Sequence, residues 1–226
     1  MREPSGMHPA DLAEARRNMI EHQIRPWDVL DPRVTEVLSE VPREEFVPER
    51  HRGHAFADVQ IPIGHEQVMM EPRVEGRMLQ ALDPQPGDHV LEIGTGSGFI
   101  TACLTRLARA VNSVEYFPAL QEQAAERLER GGYERYRLFT GDASRGWDDG
   151  QRYEAIAVTG SLPELHEGFH ESLTVGGRLF VIVGSFPIME ALLITRTDED
   201  AWRTQSLFET SVPALINAPR RSRFML

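Results

Sequence analysis

Three carboxylates and a run of glycines are the residues of this 226-residue sequence best placed to do chemistry. Glycines stand at 94, 96 and 98, directly behind the apolar run Val90, Leu91 and Ile93, with Thr95 and Ser97 between them. Glycine has no Cβ, so the chain can turn sharply there and let a ligand approach the backbone. Past the turn, Ile100 to Leu107 has helical spacing, so the amides of Ser97 to Phe99 are expected to point from a helix N-terminus towards a ligand. Glu92 lies at the end of the strand that feeds this turn. Glu115 closes a second strand-like run from Ala110, and Asp142 a third from Tyr136, ending Gly141-Asp142. Carboxyl ends of successive strands are where open α/β sheets hold ligands.

Charge decides what kind of ligand. A dinucleotide fingerprint needs its third glycine at position 99, which is Phe99. Glu92 would repel a pyrophosphate and attract an ammonium or sulfonium group, which favours a cationic ligand such as S-adenosylmethionine. Glu115, about twenty residues on, can accept from both hydroxyls of a ribose, and Asp142 from an exocyclic adenine amine. The expected contacts are Glu92, Gly94, Thr95, Gly96, Ser97, Gly98, Glu115, Gly141 and Asp142, with neighbours Tyr116 and Ala143 and, from an earlier loop, Val68. The alternative is a purely structural turn flanked by solvated acids.

The elements that must position these residues follow from spacing. A helix is expected from Asp11, ending at Arg25-Pro26, because a residue before proline is pushed out of helical conformation. Asp31 and Pro32 suit the cap and first position of a second helix, with Val34, Val37, Leu38 and Val41 as its apolar face. Residues 42 to 65 are punctuated by proline and read as extended loop and short strand. Glu75 to Leu82 forms a helix before the first strand, and Ala119 to Arg130 another, stopped by Gly131-Gly132. Tyr153 to Thr159 and Arg178 to Val183 are further strands, joined by a mostly helical Leu162 to Leu173. Met189 to Arg196 and Trp202 to Phe208 read as a closing antiparallel hairpin. Alternating strands and helices imply an α/β fold with a mostly parallel, doubly wound sheet, an N-terminal helical cover and a C-terminal hairpin. Residues 1–10 are expected to fray. Residues 11–226 form one domain: helices and loop over 11–83, a ligand-binding core over 84–185, and hairpin with tail over 186–226.

Composition narrows the classes further. A net charge of -11 argues against a general phosphate-backbone binder, so no nucleic-acid partner is expected. Cys103 is the only cysteine, so there is no internal disulfide, and nothing beside it would lower its pKa. No Cys/His cluster has metal spacing, and Ser161 lacks the G-x-S-x-G context of a hydrolase. No apolar run approaches the roughly 20 residues of a bilayer span, and Met1 to Gly6 lack a signal core. A soluble, cytoplasmic protein without membrane contact is expected. Arg220, Arg221 and Arg223 form a basic tail end, read as solvated.

From Glu92 to Gly98, at Glu115 and at Gly141-Asp142 the sequence resembles the class I S-adenosylmethionine-dependent methyltransferases, whose fold is Rossmann-like. The segments Val41 to Pro48, Ile61 to His65 and Val90 to Gly98 resemble the protein-L-isoaspartate O-methyltransferase family in particular, over roughly residues 12 to 185. The resemblance implies protein repair. The methyl of S-adenosylmethionine passes to the free carboxylate of an isoaspartyl residue, leaving S-adenosylhomocysteine, and the ester then collapses through a succinimide. The implied partner is an isoaspartyl protein or peptide. In the family, the loop after Gly-His carries Thr-Ile-Ser, its serine hydroxyl at the substrate carboxylate. Here the triplet is Val68, Met69 and Met70, so Met70 stands in the serine's place. Two alternatives stay open on that ground: a different or smaller acceptor, with Met69 and Met70 lining its pocket, or binding of the cofactor without catalysis. His65, Gln67 and Met70 are the loop candidates for contact with the acceptor. Glu75 is either near the cofactor or a helix-dipole partner.

Overall fold

The computed structural model describes residues 9–219, so most of the frayed end and the whole basic tail expected from the sequence lie outside the described residues. Helix α1 (Pro9–Met19) runs through one π turn (Ile20–Ile24) and one 3-10 turn (Arg25–Trp27), so the chain changes pitch before Pro26. Helix α2 (Pro32–Glu40) starts as its residues require. Asp31 Oδ1 accepts from the Arg33 amide at 2.8 Å, Pro32 takes the first helical position, and Val34, Val37 and Leu38 are buried.

The proline-punctuated segment differs from the extended reading. It holds a short helix, α3 (Arg43–Phe46), and a 3-10 stretch (Glu49–His54) before the expected strand. Tertiary burial accounts for it: Phe46 is 1 % exposed and packs against Phe99 and Tyr133. The strand itself, β1 (Ile61–Gly64), pairs antiparallel with β2 (Gln67–Met69) in a separate two-stranded hairpin. Helix α4 (Pro72–Leu82) follows, opening on Pro72 rather than at Glu75 because proline suits the first turn.

Strand β3 (His89–Ile93) leads through helix α5 (Phe99–Leu107) to β4 (Ala110–Glu115), and helix α6 (Pro118–Arg130) leads to β5 (Tyr136–Thr140). Strand β6 (Tyr153–Leu162) then pairs on the other side of β3, and helix α7 (Gly168–Glu171) precedes β7 (Leu173–Ser185). These five strands are parallel, in the order β5, β4, β3, β6, β7. Strands β8 (Ile188–Asp198) and β9 (Ala201–Thr210) extend the sheet antiparallel, as the closing hairpin predicts.

Two boundaries moved. The connection read as mostly helical holds only the four residues of α7, because Ser161 and Leu162 are still paired with Ile182 and Val183. Strand β7 passes through Gly176-Gly177, because Leu173 already pairs with Tyr153. Alternate residues of β3 enter two apolar clusters, Val90 in one and Leu91 with Ile93 in the other, so this central strand is covered on both sides. Strand order reverses at β3, between β4 and β6. That switch point is where an open α/β sheet leaves a crevice beyond its carboxyl ends.

Candidate functional site

A cavity opens at that crevice. Ile93 and Gly94 wall it from β3, Val114 and Glu115 from β4, Gly141 from beyond β5, and Thr159 from β6. The β1–β2 hairpin contributes Ile63, Gln67 and Val68, so the hairpin roofs it. A second, smaller space adjoins through the shared residues Val68, Gly94, Gly96 and Thr159, and reaches Met70, Glu75 and Glu92.

The glycine turn is built as its sequence requires. Gly94 has φ 97°, and a Cβ there would come within 2.3 Å of Thr159 Oγ1. That hydroxyl is fixed by donating to Gly94 O at 2.6 Å and Ile93 O at 3.0 Å. Gly98 (φ 88°) lines neither cavity; a Cβ there would press on Ala124 of α6 at 3.2 Å, so it serves close helix packing. The amides expected to point at a ligand are partly used inside the turn. Gly98 N donates to Thr95 O at 2.9 Å, and Phe99 N to Ser97 Oγ at 3.3 Å. A Ser97 side chain competing for the first helical donors accounts for the difference.

Each strand-end acid behaves differently. Glu115 lines the larger cavity, with Oε2 accepting from Gly96 N at 2.8 Å and Oε1 from Phe117 N at 3.0 Å. Glu92 is fully buried and lines only the smaller space. Its Oε2 accepts from Thr101 Oγ1 at 2.5 Å and Ser113 Oγ at 2.6 Å, while Oε1 has no hydrogen-bond partner among the described residues. Burial pushes its carboxyl up to about 8, the two hydroxyls opposing. At neutral pH this acid is mostly protonated, so its pull on a cation is weaker than an ionised strand-end carboxylate would give. Asp142 lines neither cavity, though Gly141 and Ala143 on either side of it line the larger one. Burial alone would raise the Asp142 carboxyl, but the Ser144 amide at 3.0 Å and the Asn217 side-chain amide at 2.9 Å hold it below its ordinary value.

The loop candidates separate as well. Gln67 lines the larger cavity and donates to His65 O at 3.2 Å. His65 lies outside both linings, its ring stacked on Phe117 with centroids 4.5 Å apart. Met69 and Met70 are 4 % and 3 % exposed and belong to the main apolar cluster, and both also edge the smaller space. Glu75 sits in the first turn of α4 with its carboxylate paired to Arg43. Burial pushes it up to about 7 against the pull of Arg43. Cys103 is fully buried and its thiol is raised by that burial, as an inert thiol should be. Thr95 and Ser97 edge the smaller space, and Tyr116 the larger.

Several lining residues went unread in the sequence. Thr159 closes the strand expected from Tyr153, so the strand-end rule points to it, whereas Gly160 comes in because β6 runs on to Leu162. Leu215 and Ile216, beyond β9, carry no local signal and are brought in only by the fold. Among the described residues no group of three or more His, Cys, Asp or Glu is placed to hold a metal, and no helix is long and apolar enough to cross a membrane.

Residues 14–213 match the family described as protein-L-isoaspartate(D-aspartate) O-methyltransferase. Among curated relatives, the protein-L-isoaspartate O-methyltransferase of Magnetococcus marinus is 39% identical over 88% of this chain and 87% of its own. That of Aeropyrum pernix is 38% identical over 93% and 83%. Among solved structures, a Plasmodium falciparum chain assigned to the same activity and holding S-adenosyl-L-homocysteine superposes with a TM-score of 0.76 at 18% identity, covering 90% of this chain and 97% of its own. Another protein-L-isoaspartate O-methyltransferase gives 0.76 at 24% identity, over 88% and 65%. The two structures show the same Rossmann-like fold.

Proposed function

The chain belongs to the protein-L-isoaspartate(D-aspartate) O-methyltransferase family, and from that premise we propose that it moves the methyl group of S-adenosylmethionine to the free carboxylate of an isoaspartyl residue in damaged protein. The observation that carries the reading is one cavity walled by the glycine turn and Glu115 and roofed by the hairpin that leads into Met70. The residues present fit the cofactor. Gly94 and Gly96 leave room for close approach to the backbone. Each Glu115 oxygen takes one amide and keeps a lone pair for a ribose hydroxyl. Glu92 Oε1, without a hydrogen-bond partner among the described residues, marks a buried polar corner in the adjoining space.

When bound, the cofactor supplies an electrophilic methyl on a sulfonium. Glu115 and the backbone of Gly94 and Gly96 hold the nucleoside, with Tyr116, Gly141, Ala143 and Val68 lining its walls. Thr95, Ser97 and Gly98 shape the turn, and Asp142 steadies the Gly141–Ser144 backbone through its bond to the Ser144 amide. The acceptor carboxylate is already ionised at neutral pH, so the chain supplies no general base. Its work is to align the two reactants and exclude water. His65, Gln67 and Met70 present the loop under which the acceptor enters, and Met70 gives that carboxylate an apolar neighbour where a hydroxyl stands in the family.

The protein works on polypeptide substrates in the cytoplasm as one domain over residues 11–226, without a nucleic-acid partner, in keeping with its net charge of -11. Incubation with methyl-labelled cofactor is expected to label an isoaspartyl peptide and spare the matched aspartyl peptide. Absence of label from both, with a control enzyme active, would remove isoaspartate as the acceptor.

A further inference from the structure

Arg43 heads the fully buried side chains by volume, with no exposed surface. A guanidinium is costly to bury unless its donors are met, and here they are met from three directions. Nε donates to Ala55 O at 2.8 Å, Nη2 to Met70 O at 2.8 Å, and Nη1 to the Glu75 carboxylate. The guanidinium also lies 4.8 Å from the ring centroid of Phe99. Those partners belong to four separate pieces of chain: the end of the 3-10 stretch, the exit of the β1–β2 hairpin, helix α4, and the first residue of α5 behind the glycine turn. Met70, Glu75 and Phe99 border the smaller space beside the main cavity, together with Thr95, Gly96 and Thr159.

We infer that Arg43 is a positioning residue for methyl transfer: it fixes the backbone at Met70 against the glycine turn, and with it the place where acceptor meets methyl donor. The inference rests on the proposed reaction for its kinetic consequence but not for its structural one. Met70 offers no side-chain hydrogen bond of its own, so the loop's height is set through its carbonyl, and Arg43 holds that carbonyl. Lysine keeps the charge but has no planar fork able to reach three acceptors at once.

The test compares R43K with the wild type in two ways. Amide exchange over residues 67 to 71 is expected to quicken by about tenfold, the worth of one lost buried hydrogen bond, with β3 and β4 unchanged. With isoaspartyl peptide, kcat is expected to fall by about 10²-fold while KM for the cofactor stays put, as misplacement of one reactant predicts. Wild-type exchange and wild-type kcat in folded R43K would overturn the inference. So would a parallel loss in cofactor KM and in exchange protection across the whole sheet, which marks bulk stability. If R43K does not fold, E75Q takes away the charge that pairs with Arg43, keeps an amide oxygen to accept from it, and leaves both carbonyl contacts. A smaller change in the same direction is then expected, and wild-type values overturn the inference. A wild-type enzyme inactive on isoaspartyl peptide would defeat the proposed function, while the exchange comparison still decides the role of Arg43.

Discussion

The imidazole of His65 lies flat on the ring of Phe117, centroids 4.5 Å apart and planes inclined by 18°. His65 is in the turn of the hairpin that roofs the cavity, and Phe117 follows Glu115 and Tyr116 in its wall. The stack therefore ties roof to wall across the cavity mouth. Stacked rings of this kind contribute about 0.5–1.5 kcal/mol. His65→Ala should accordingly weaken retention of S-adenosylhomocysteine by about 2- to 10-fold, mostly through a faster off-rate, with little change in Tm because His65 is exposed. Stopped-flow displacement measures it, and an unchanged off-rate would mean that the hairpin is held by other contacts.

Gly94 gives a sharper expectation. Its φ of 97° is unfavourable for any side chain, and its missing Cβ is the space occupied by Thr159 Oγ1. Gly94→Ala should cost about 1–3 kcal/mol of backbone strain and displace the hydroxyl that fastens β6 to the turn. Thermal denaturation reads the first effect and titration with cofactor the second. A variant as stable as wild type that binds normally would contradict the geometry.

The glycine turn, Glu115 and the Asp31–Pro32 helix start were legible in the sequence because each depends on local backbone chemistry: conformational freedom, strand-end placement, capping. What escaped depends on distant chain. Arg43 and Glu75 are 32 residues apart, and nothing local pairs them: Glu75 reads as a cofactor neighbour or a helix-dipole partner until the fold buries both. Glu92 lies near the end of β3 as its spacing predicts, but the upward push on its carboxyl comes from complete burial, which neighbours in sequence do not reveal. The strand expected only from Arg178, after Gly176-Gly177, starts earlier, because pairing of Leu173 with Tyr153 carries β7 through the two glycines. Leu215 and Ile216 reach the cavity only because the chain returns from β9, pairing Leu215 N with Ser161 O at 2.9 Å.

Glu92 makes stability depend on pH with a definite sign. Its folded pKa is about 8 against an ordinary 4.5, so between those values the folded chain keeps a proton that the unfolded chain has lost. Stability from this group is complete below the lower value and declines as pH rises through the upper. Glu92→Gln imitates the protonated acid, so relative to wild type its Tm should climb between about pH 5 and about pH 8. Glu75 adds a slope of the same sign to both proteins and cancels in the difference. Parallel Tm profiles would show that Glu92 is ionised in the fold.

Met70 tests whether the family hydroxyl is needed. Because Met70 is 3 % exposed in the main cluster, Met70→Ser should lose about 2–5 kcal/mol of stability, as truncation of a buried methionine does. Below its Tm, its kcat/KM on isoaspartyl peptide should stay within about tenfold of wild type, since the acceptor is already ionised and alignment carries the rate. Activity present only in the serine variant would mean that the natural chain binds the cofactor without using it.

Titration calorimetry with S-adenosylhomocysteine tests the central claim most directly, because it asks for the nucleoside at the carboxyl rim and for nothing else. A single site per chain is predicted, with heat lost in Gly94→Ala and reduced in Glu115→Ala. No heat with folded wild-type protein, or equal heat in all three proteins, would contradict it.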